Sequence, residues 1–293
     1  MNTITNKEIS GITMIYVPSS VSSCVSSVKK RILALDKKDF VNYKLYLPSS
    51  HLLSRKGKYL RPTLVLLAAH SINADPKRYV DLAAAAELLH TSSLVHDDII
   101  DGDRTRRGVP AVHVKYGTEA AILSGDALIS KAIQLSSAYG KQVMDSMANA
   151  ALEMCAGELL DYSFYKDGKV PSIDDYLEIA RLKSASLIGA SCSSVPIHVK
   201  SKRAREFYDF GMNFGIAFQI KDDISDYRKE SSSRRNKPNI AVSISKHDGI
   251  NLREAAEEAE ILMDKYIGKG LASIKSGKTR KMFTEYAELL SSY

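Results

Sequence analysis

The chain has 293 residues, enough to bury one large core or two small ones. With 44% hydrophobic and 26% charged residues it reads as soluble and globular, and no apolar run is long enough to span a bilayer. A formal charge of +7 points to anionic partners. The basic residues are dispersed and no nucleic-acid motif is present, so small phosphorylated molecules explain the excess as well as nucleic acid does.

The first residues carry a short apolar patch, GITMIYV, behind Lys7 and Glu8. It has no basic leader and no small-residue cleavage site, so no signal peptide is expected. Cys24, Cys155 and Cys192 are scattered and odd in number, which fits neither a disulfide framework nor a zinc site and favours a reducing cytoplasm. The Ser-rich stretch 18–27 reads as part of a flexible lead-in covering about 1–27. From there the pattern is helical, with apolar residues every three or four positions over 61–71, 80–100, 119–139, 142–165, 173–195, 203–227, 251–267 and 277–291. Pro62 falls in the first turn of its helix. Asp75-Pro76, the stretch from Gly102 to Pro110, that from Asp167 to Pro171, and Gly249 punctuate the chain. Residues 228–238, RKESSSRRNKP, combine serines, five basic residues and a proline. They predict a mobile loop, either a lid over an anion site or a solvated connector. The expectation is a single all-α domain over 1–293, a bundle of many helices around a central cavity.

Two acidic triplets stand out, Asp97-Asp98-Ile-Ile-Asp101 and Asp222-Asp223-Ile-Ser-Asp226. Residues four apart share a helix face, so each triplet projects its carboxylates together. Each could be a solvated acidic patch. The flanks, 79–99 and 207–224, are largely apolar, which places both triplets at the ends of buried helices. Charge in such a setting needs a partner or a metal. Mg²⁺ suits hard oxygen ligands, binds one or two carboxylates, and completes its shell with water and phosphate oxygens.

Cationic groups accompany the acids. Lys58 and Arg61 lie three apart around a glycine-containing turn, His90 precedes Asp97 by two helical turns, and Arg106-Arg107-Gly108 follows Asp101. Lys183, Lys221 and Lys237 are further candidates. Each taken alone reads more readily as a surface charge, and His90 as a core histidine. Together they predict two anion pockets, one served by metal and one by direct Lys and Arg contacts.

Gly57-Lys58-x-x-Arg61-Pro62, His90 ahead of His96-Asp97-Asp98-Ile-Ile-Asp101, Arg106-Arg107-Gly108, Gly125-Asp126, Lys183-Ser184-Ala185 and Phe218-Gln219-Ile-Lys-Asp222-Asp223-x-x-Asp226 are spaced as in the trans-polyprenyl diphosphate synthases, which the chain resembles over about 50–240. The resemblance implies an all-α homodimer of the isoprenoid synthase type. It would be a cytoplasmic Mg²⁺-dependent prenyltransferase that elongates an allylic diphosphate with isopentenyl diphosphate, with no nucleic-acid partner. It further implies three Mg²⁺ per active site with substrate bound, held by Asp97, Asp101 and Asp222, with Asp98, Asp223 and Asp226 as close acids. Lys58, Arg61, His90 and Arg107 would hold isopentenyl diphosphate without metal. Arg106, Lys183, Ser184, Gln219 and Lys237 would contact the allylic diphosphate. The catalytic set is then Asp97, Asp98, Asp101, Arg106, Lys183, Asp222 and Asp223. The chain departs from the family pattern at Lys56-Gly57-Lys58-Tyr59, at Ser184 where Thr is usual, and after Lys237-Pro238, where an acidic-leucine element is missing.

The helix leading into Asp97 offers a ruler for product length. Ser93, Leu89 and Ala85 step back along one face at about 5.4 Å per turn, close to one isoprene unit, with Ser92 to the side. Small residues at 92 and 93 either leave a hydrocarbon tunnel open or simply permit close helix packing. The open case predicts a C25–C40 product released with peripheral membrane contact, or geranylgeranyl diphosphate if a facing helix around Met154–Leu160 closes the tunnel. A class I terpene cyclase is disfavoured by the second DDxxD motif, and a non-catalytic partner subunit by the integrity of both.

Overall fold

The computed structural model of the chain describes residues 17–55, 57–228 and 239–292. Helices carry almost all of the regular structure, as their periodicity dictates, and the only strands among the described residues form one two-stranded hairpin. The chain divides into two compact units, residues 1–148 with 194–201 and residues 149–193 with 202–293.

In the first unit, α4 (Val80–Ile100) packs against α1 (Ser19–Leu33), α3 (Leu60–Ser71) and α6 (Thr118–Ser137). Every residue from Leu82 to Leu89 is buried, and four consecutive alanines, 83–86, let neighbouring helices approach on several sides. Two further helices, α2 (Tyr43–Ser50) and the short α5 (Val112–Tyr116), pack on α6. Asn42 starts α2 by accepting from the Leu45 N–H through its side chain.

The expected flexible lead-in over about 1–27 is corrected from residue 19 on, and its residues 1–16 lie outside the described residues. Residues 19–33 form α1, because Val21, Cys24, Val28 and Ile32 recur at helical spacing and are buried, while the serines occupy the remaining positions. Serine-rich composition masked the apolar stripe.

In the second unit, α10 (Ala204–Arg228) packs against α12 (Leu252–Ser273), and also meets α8 (Ile173–Ala180), α11 (Ile240–Asp248) and α13 (Gly277–Ser292). An aromatic cluster fastens α10 to α13. Phe283 meets Phe210 edge-on at 4.6 Å and Phe207 at 5.7 Å, and Phe214 stacks on Phe210 at 5.5 Å. Each such ring contributes roughly 1.5–3 kcal/mol by burial. A reciprocal capping box of Ser172 and Asp175 starts α8, and another of Asn251 and Glu254 starts α12. The long helix expected over 173–195 is interrupted. Residues Arg181–Ala185 form a π-helical turn between α8 and α9 (Ser186–His198). The helix α7 (Lys141–Lys166) contributes residues to both units.

Candidate active site

The first triplet ends α4. Asp97 and Asp101 are half-buried, whereas Asp98 is wholly buried. Directly after it the chain makes a tight hairpin, β1 (Thr105–Arg106) against β2 (Val109–Pro110). The two turn residues, Arg107 and Gly108, have φ of 51° and 75°, as a two-residue turn matched to strand twist requires. This turn sends the two arginines to different carboxylates on α4. Arg106 Nε donates to Asp98 Oδ1 at 2.7 Å, its Nη2 binds the same oxygen, and Nη2 also donates to Asp103 at 3.0 Å. Arg107 donates to Glu87 at 3.4 Å and to the Leu52 carbonyl at 3.3 Å. Burial raises the Asp98 pKa despite Arg106, and Asp98 Oδ2 is buried without a hydrogen-bond partner.

One to three turns back along α4 lies a second cluster. Arg61, in the first turn of α3, is buried. Tyr59 adopts a left-handed conformation at the start of that helix, and Gly57 packs against Arg107 and Glu87. Burial pushes the Glu87 carboxyl up, while Arg107 and Arg61 pull it down. Burial, reinforced by Arg61, Arg107 and Arg106, holds His90 well below the ordinary histidine value. The site is thus a neutral imidazole and one carboxylate among several guanidiniums, with charge left over for an anion. Lys58 is exposed in the loop before α3. On α4, Ser92 and Leu89 are buried, and Ser93 is half-buried with its hydroxyl on the His90 carbonyl at 2.9 Å. His96 lies against α6, where a Cβ on Gly125 would come within 2.2 Å of its ring, so that position admits only glycine without displacement.

In the second unit, the π turn brings Lys183 and Ser184 to α7 and α10. Such turns recur at functional sites. Lys183 donates to Asp161 at 2.7 Å and ion-pairs with Glu158 at 2.6 Å. A Cβ on Gly157 would lie 2.4 Å from the Lys183 backbone nitrogen, so glycine permits this approach. Ser184 Oγ donates to the Gln219 side-chain oxygen Oε1, and Gln219 Nε2 donates to Asp223 Oδ1 at 2.8 Å. The N–H of Ile240, at the start of α11, reaches Asp223 Oδ2 at 3.4 Å, where a helix N-terminus favours negative charge. Tyr176 interacts with Asp223 without reaching full hydrogen-bond geometry. Burial pushes the Asp223 carboxyl up to about 7, with Asp161 adding to the effect and the Tyr176, Gln219 and Ile240 contacts opposing it. Asp222, Asp226 and Lys221 are half-buried nearby on α10. Lys237 and the expected lid lie outside the described residues, which resume at Asn239, the N-cap of α11.

Residues not singled out from sequence are Glu87, Asp103, Glu158, Asp161 and Tyr176. A signal for Glu87 was present: it is the sole charge in an Ala- and Leu-rich run. Among the described residues no group of three or more His, Cys, Asp or Glu side chains encloses an ion by itself. The buried, partnerless Oδ2 of Asp98 and the paired Asp97 and Asp101 on one helix face are a donor set of the right chemistry for Mg²⁺.

Comparisons with known proteins identify relatives of the chain. The chain is 38% identical over 192 residues to a short chain isoprenyl diphosphate synthase from Methanothermobacter thermautotrophicus, covering 63% of this chain and 59% of that protein. It is 38% identical over 207 residues to a geranylfarnesyl diphosphate synthase from Natronomonas pharaonis, covering 62% and 60%. The matched part thus spans less than two thirds of either relative. The structure of a geranylgeranyl pyrophosphate synthetase from the archaeon Geoglobus acetivorans superposes with a TM-score of 0.85 at 27% identity, over 93% of this chain and 99% of that one. The polyprenyl synthetase family model matches residues 42–241, a span that contains both acidic triplets and the arginine hairpin, and the chain belongs to that family.

Proposed function

We propose that this protein is a trans-prenyltransferase, a single polyprenyl synthase domain that joins isopentenyl diphosphate to an allylic diphosphate. The observation that carries the reading is a guanidinium cluster, buried Arg61 from α3 and half-buried Arg107 from the hairpin, gathered beside neutral His90 on α4, with half-buried Asp97 and Asp101 about two to three turns further along that helix. That arrangement supplies one diphosphate pocket that needs no metal and a second that does.

Asp97, Asp101 and Asp222 would hold Mg²⁺, with Asp98, Asp223 and Asp226 close by. Mg²⁺ held by these residues would supply Lewis-acid neutralisation of the departing diphosphate. Arg61, Arg107 and Lys58 bind and orient the isopentenyl diphosphate, and His90, held neutral, donates one hydrogen bond to it. Lys183, Ser184 and Gln219 line the approach to the allylic diphosphate, with Lys237 and Arg106 as further contacts. Lys183 is already engaged by Glu158 and Asp161, which fixes its position before substrate arrives. No protein nucleophile is required: the double bond of isopentenyl diphosphate attacks the allylic carbon as its C–O bond to diphosphate breaks, and the resulting carbocation loses a proton to the released pyrophosphate.

The names of the relatives support a product of geranylgeranyl to geranylfarnesyl length, C20–C25, the lower part of the length read from the serines together with the geranylgeranyl alternative. The reading includes a homodimer. Leu152, Cys155, Leu159 and Tyr162 form an exposed stripe at helical spacing on α7, with Leu152 71% and Leu159 68% exposed. It also includes a cytoplasmic enzyme with peripheral membrane contact at product release. Among the described residues no helix is long and apolar enough to cross a membrane.

One incubation tests the core of this. Labelled isopentenyl diphosphate, Mg²⁺ and each allylic starter in turn should give dephosphorylated products of C20–C25. No consumption of isopentenyl diphosphate with any starter rejects it.

A further inference from the structure

Glu87 is buried at 3% exposure, three residues before His90, in the apolar stretch of α4. No step of the proposed reaction uses it. A carboxylate in such a place is unfavourable unless cations pair with it, and a hydrophobic side chain of similar volume would pack there without that penalty. Two cations do pair with it. Arg107 Nη2 lies 3.4 Å from Glu87 Oε1, and Arg61 acts on the carboxylate electrostatically. Gly57 closes the same cluster, since a Cβ there would sit 3.4 Å from both Arg107 Cζ and Glu87 Oε1.

Arg107 needs such help. It sits in the turn of a two-residue hairpin, with a left-handed backbone that fixes where the side chain leaves the chain but not where its tip goes. Two acceptors from different elements catch that tip, Leu52 O at 3.3 Å and Glu87 Oε1 at 3.4 Å. They use two of the five N–H groups of a guanidinium and leave three for an incoming anion. Both contacts are long, so the arginine is steered while most of its donor capacity is kept.

We propose that Glu87 is a positioning residue that aims Arg107, together with Arg61, at the diphosphate bound without metal. It acts through the arginines and does not touch substrate. This rests on the reading that Arg61 and Arg107 hold isopentenyl diphosphate. Glu87 stands ten residues before Asp97, about 15 Å along the helix, so the metal-bound diphosphate is outside its reach.

Steady-state kinetics of Glu87→Ala and Glu87→Gln, with thermal melts of both, test this. Ala removes the acceptor. KM for isopentenyl diphosphate should rise about tenfold or more, with KM for the allylic substrate changed less than about twofold. Gln keeps an acceptor in place without the charge, and should hold the isopentenyl KM within about threefold of wild type. If both variants lower that KM, Glu87 acts as a counter-charge and the proposal fails. If both KM values and kcat shift together with the melting temperature in both variants, the role is packing and the proposal also fails. Should the wild-type enzyme not consume isopentenyl diphosphate at all, the reaction assignment falls separately. Glu87 is then judged by calorimetric binding of inorganic pyrophosphate in the presence of a chelator: weaker binding by the Ala variant supports positioning, and unchanged binding overturns it.

Discussion

Arg106 Nε donates to Asp98 Oδ1 at 2.7 Å, tying the middle acid of the first triplet to the hairpin that follows it. Asp98 is wholly buried and the Arg106 side chain only 18% exposed, so the pair is internal. The three acids of the motif therefore divide their work. Asp98 fixes the hairpin, and Asp97 and Asp101 present half-buried carboxylates from the end of the helix.

This division predicts opposite signatures for neighbouring residues. Asp98→Ala removes the main acceptor of the half-buried Arg106 guanidinium, leaving it only Asp103, and should cost about 1–3 kcal/mol of stability. Asp97→Ala removes a half-buried acid and should change stability by about 1 kcal/mol or less. Denaturant unfolding of the two variants separates them, and equal losses would show that the pair contributes nothing special.

Turnover should show the reverse pattern of specificity. Asp97→Ala and Asp222→Ala remove the acids assigned to the metals, and kcat should fall by roughly 10²–10³-fold or more with the helical circular dichroism retained. Near-normal kcat in either variant removes that residue from the metal set.

The long helices were legible in the sequence because their apolar residues repeat without interruption, as over 80–100, found as Val80–Ile100, and 203–227, found as Ala204–Arg228. α1 was not, since Val21, Cys24 and Val28 are embedded among serines that composition assigns to loops. The π turn at Arg181–Ala185 has no local signature either. It accompanies the approach of Lys183 to Gly157, a contact between residues 26 positions apart. In the site, the residues with motif spacing, such as the aspartates and Arg106-Arg107, could be named in advance. Their partners could not. Glu158, Asp161 and Tyr176 owe their roles to packing between elements distant in the chain, and although Glu87 stands out as a lone charge in an apolar run, a single sequence carries no record of its pairing with Arg107.

His90 gives a pH dependence of defined sign. Its folded pKa lies well below the ordinary 6.5, because burial and then Arg61, Arg107 and Arg106 disfavour the proton. Below pH 6.5 the unfolded chain binds a proton at this residue that the folded chain does not, so stability falls as pH drops from 6.5 toward the folded value. Above pH 6.5 the contribution is complete. His90→Gln, which keeps a donor but does not titrate, should flatten this part of the melting temperature profile between pH 7 and 5. An unchanged slope would mean that other groups carry the acid sensitivity.

The last prediction concerns product length and uses the different burial of two adjacent serines. Ser93 stands four residues before Asp97, about 6 Å along the helix axis, and is half-buried with its hydroxyl bonded to the His90 carbonyl at 2.9 Å. Ser92 is 2% exposed. A phenylalanine forced into filled core strains its neighbours and costs about 1–3 kcal/mol, whereas a ring entering an open tunnel displaces no packed atoms. If the serines line the tunnel, Ser93→Phe should shorten the dominant product by at least one isoprene unit with little change in melting temperature. If they serve close helix packing instead, Ser92→Phe should lower the melting temperature by several degrees, and both variants should make product of unaltered length. Sizing dephosphorylated products and recording melts on the same two variants separates a channel wall from a packing contact, because only a channel wall changes the product without cost to the fold.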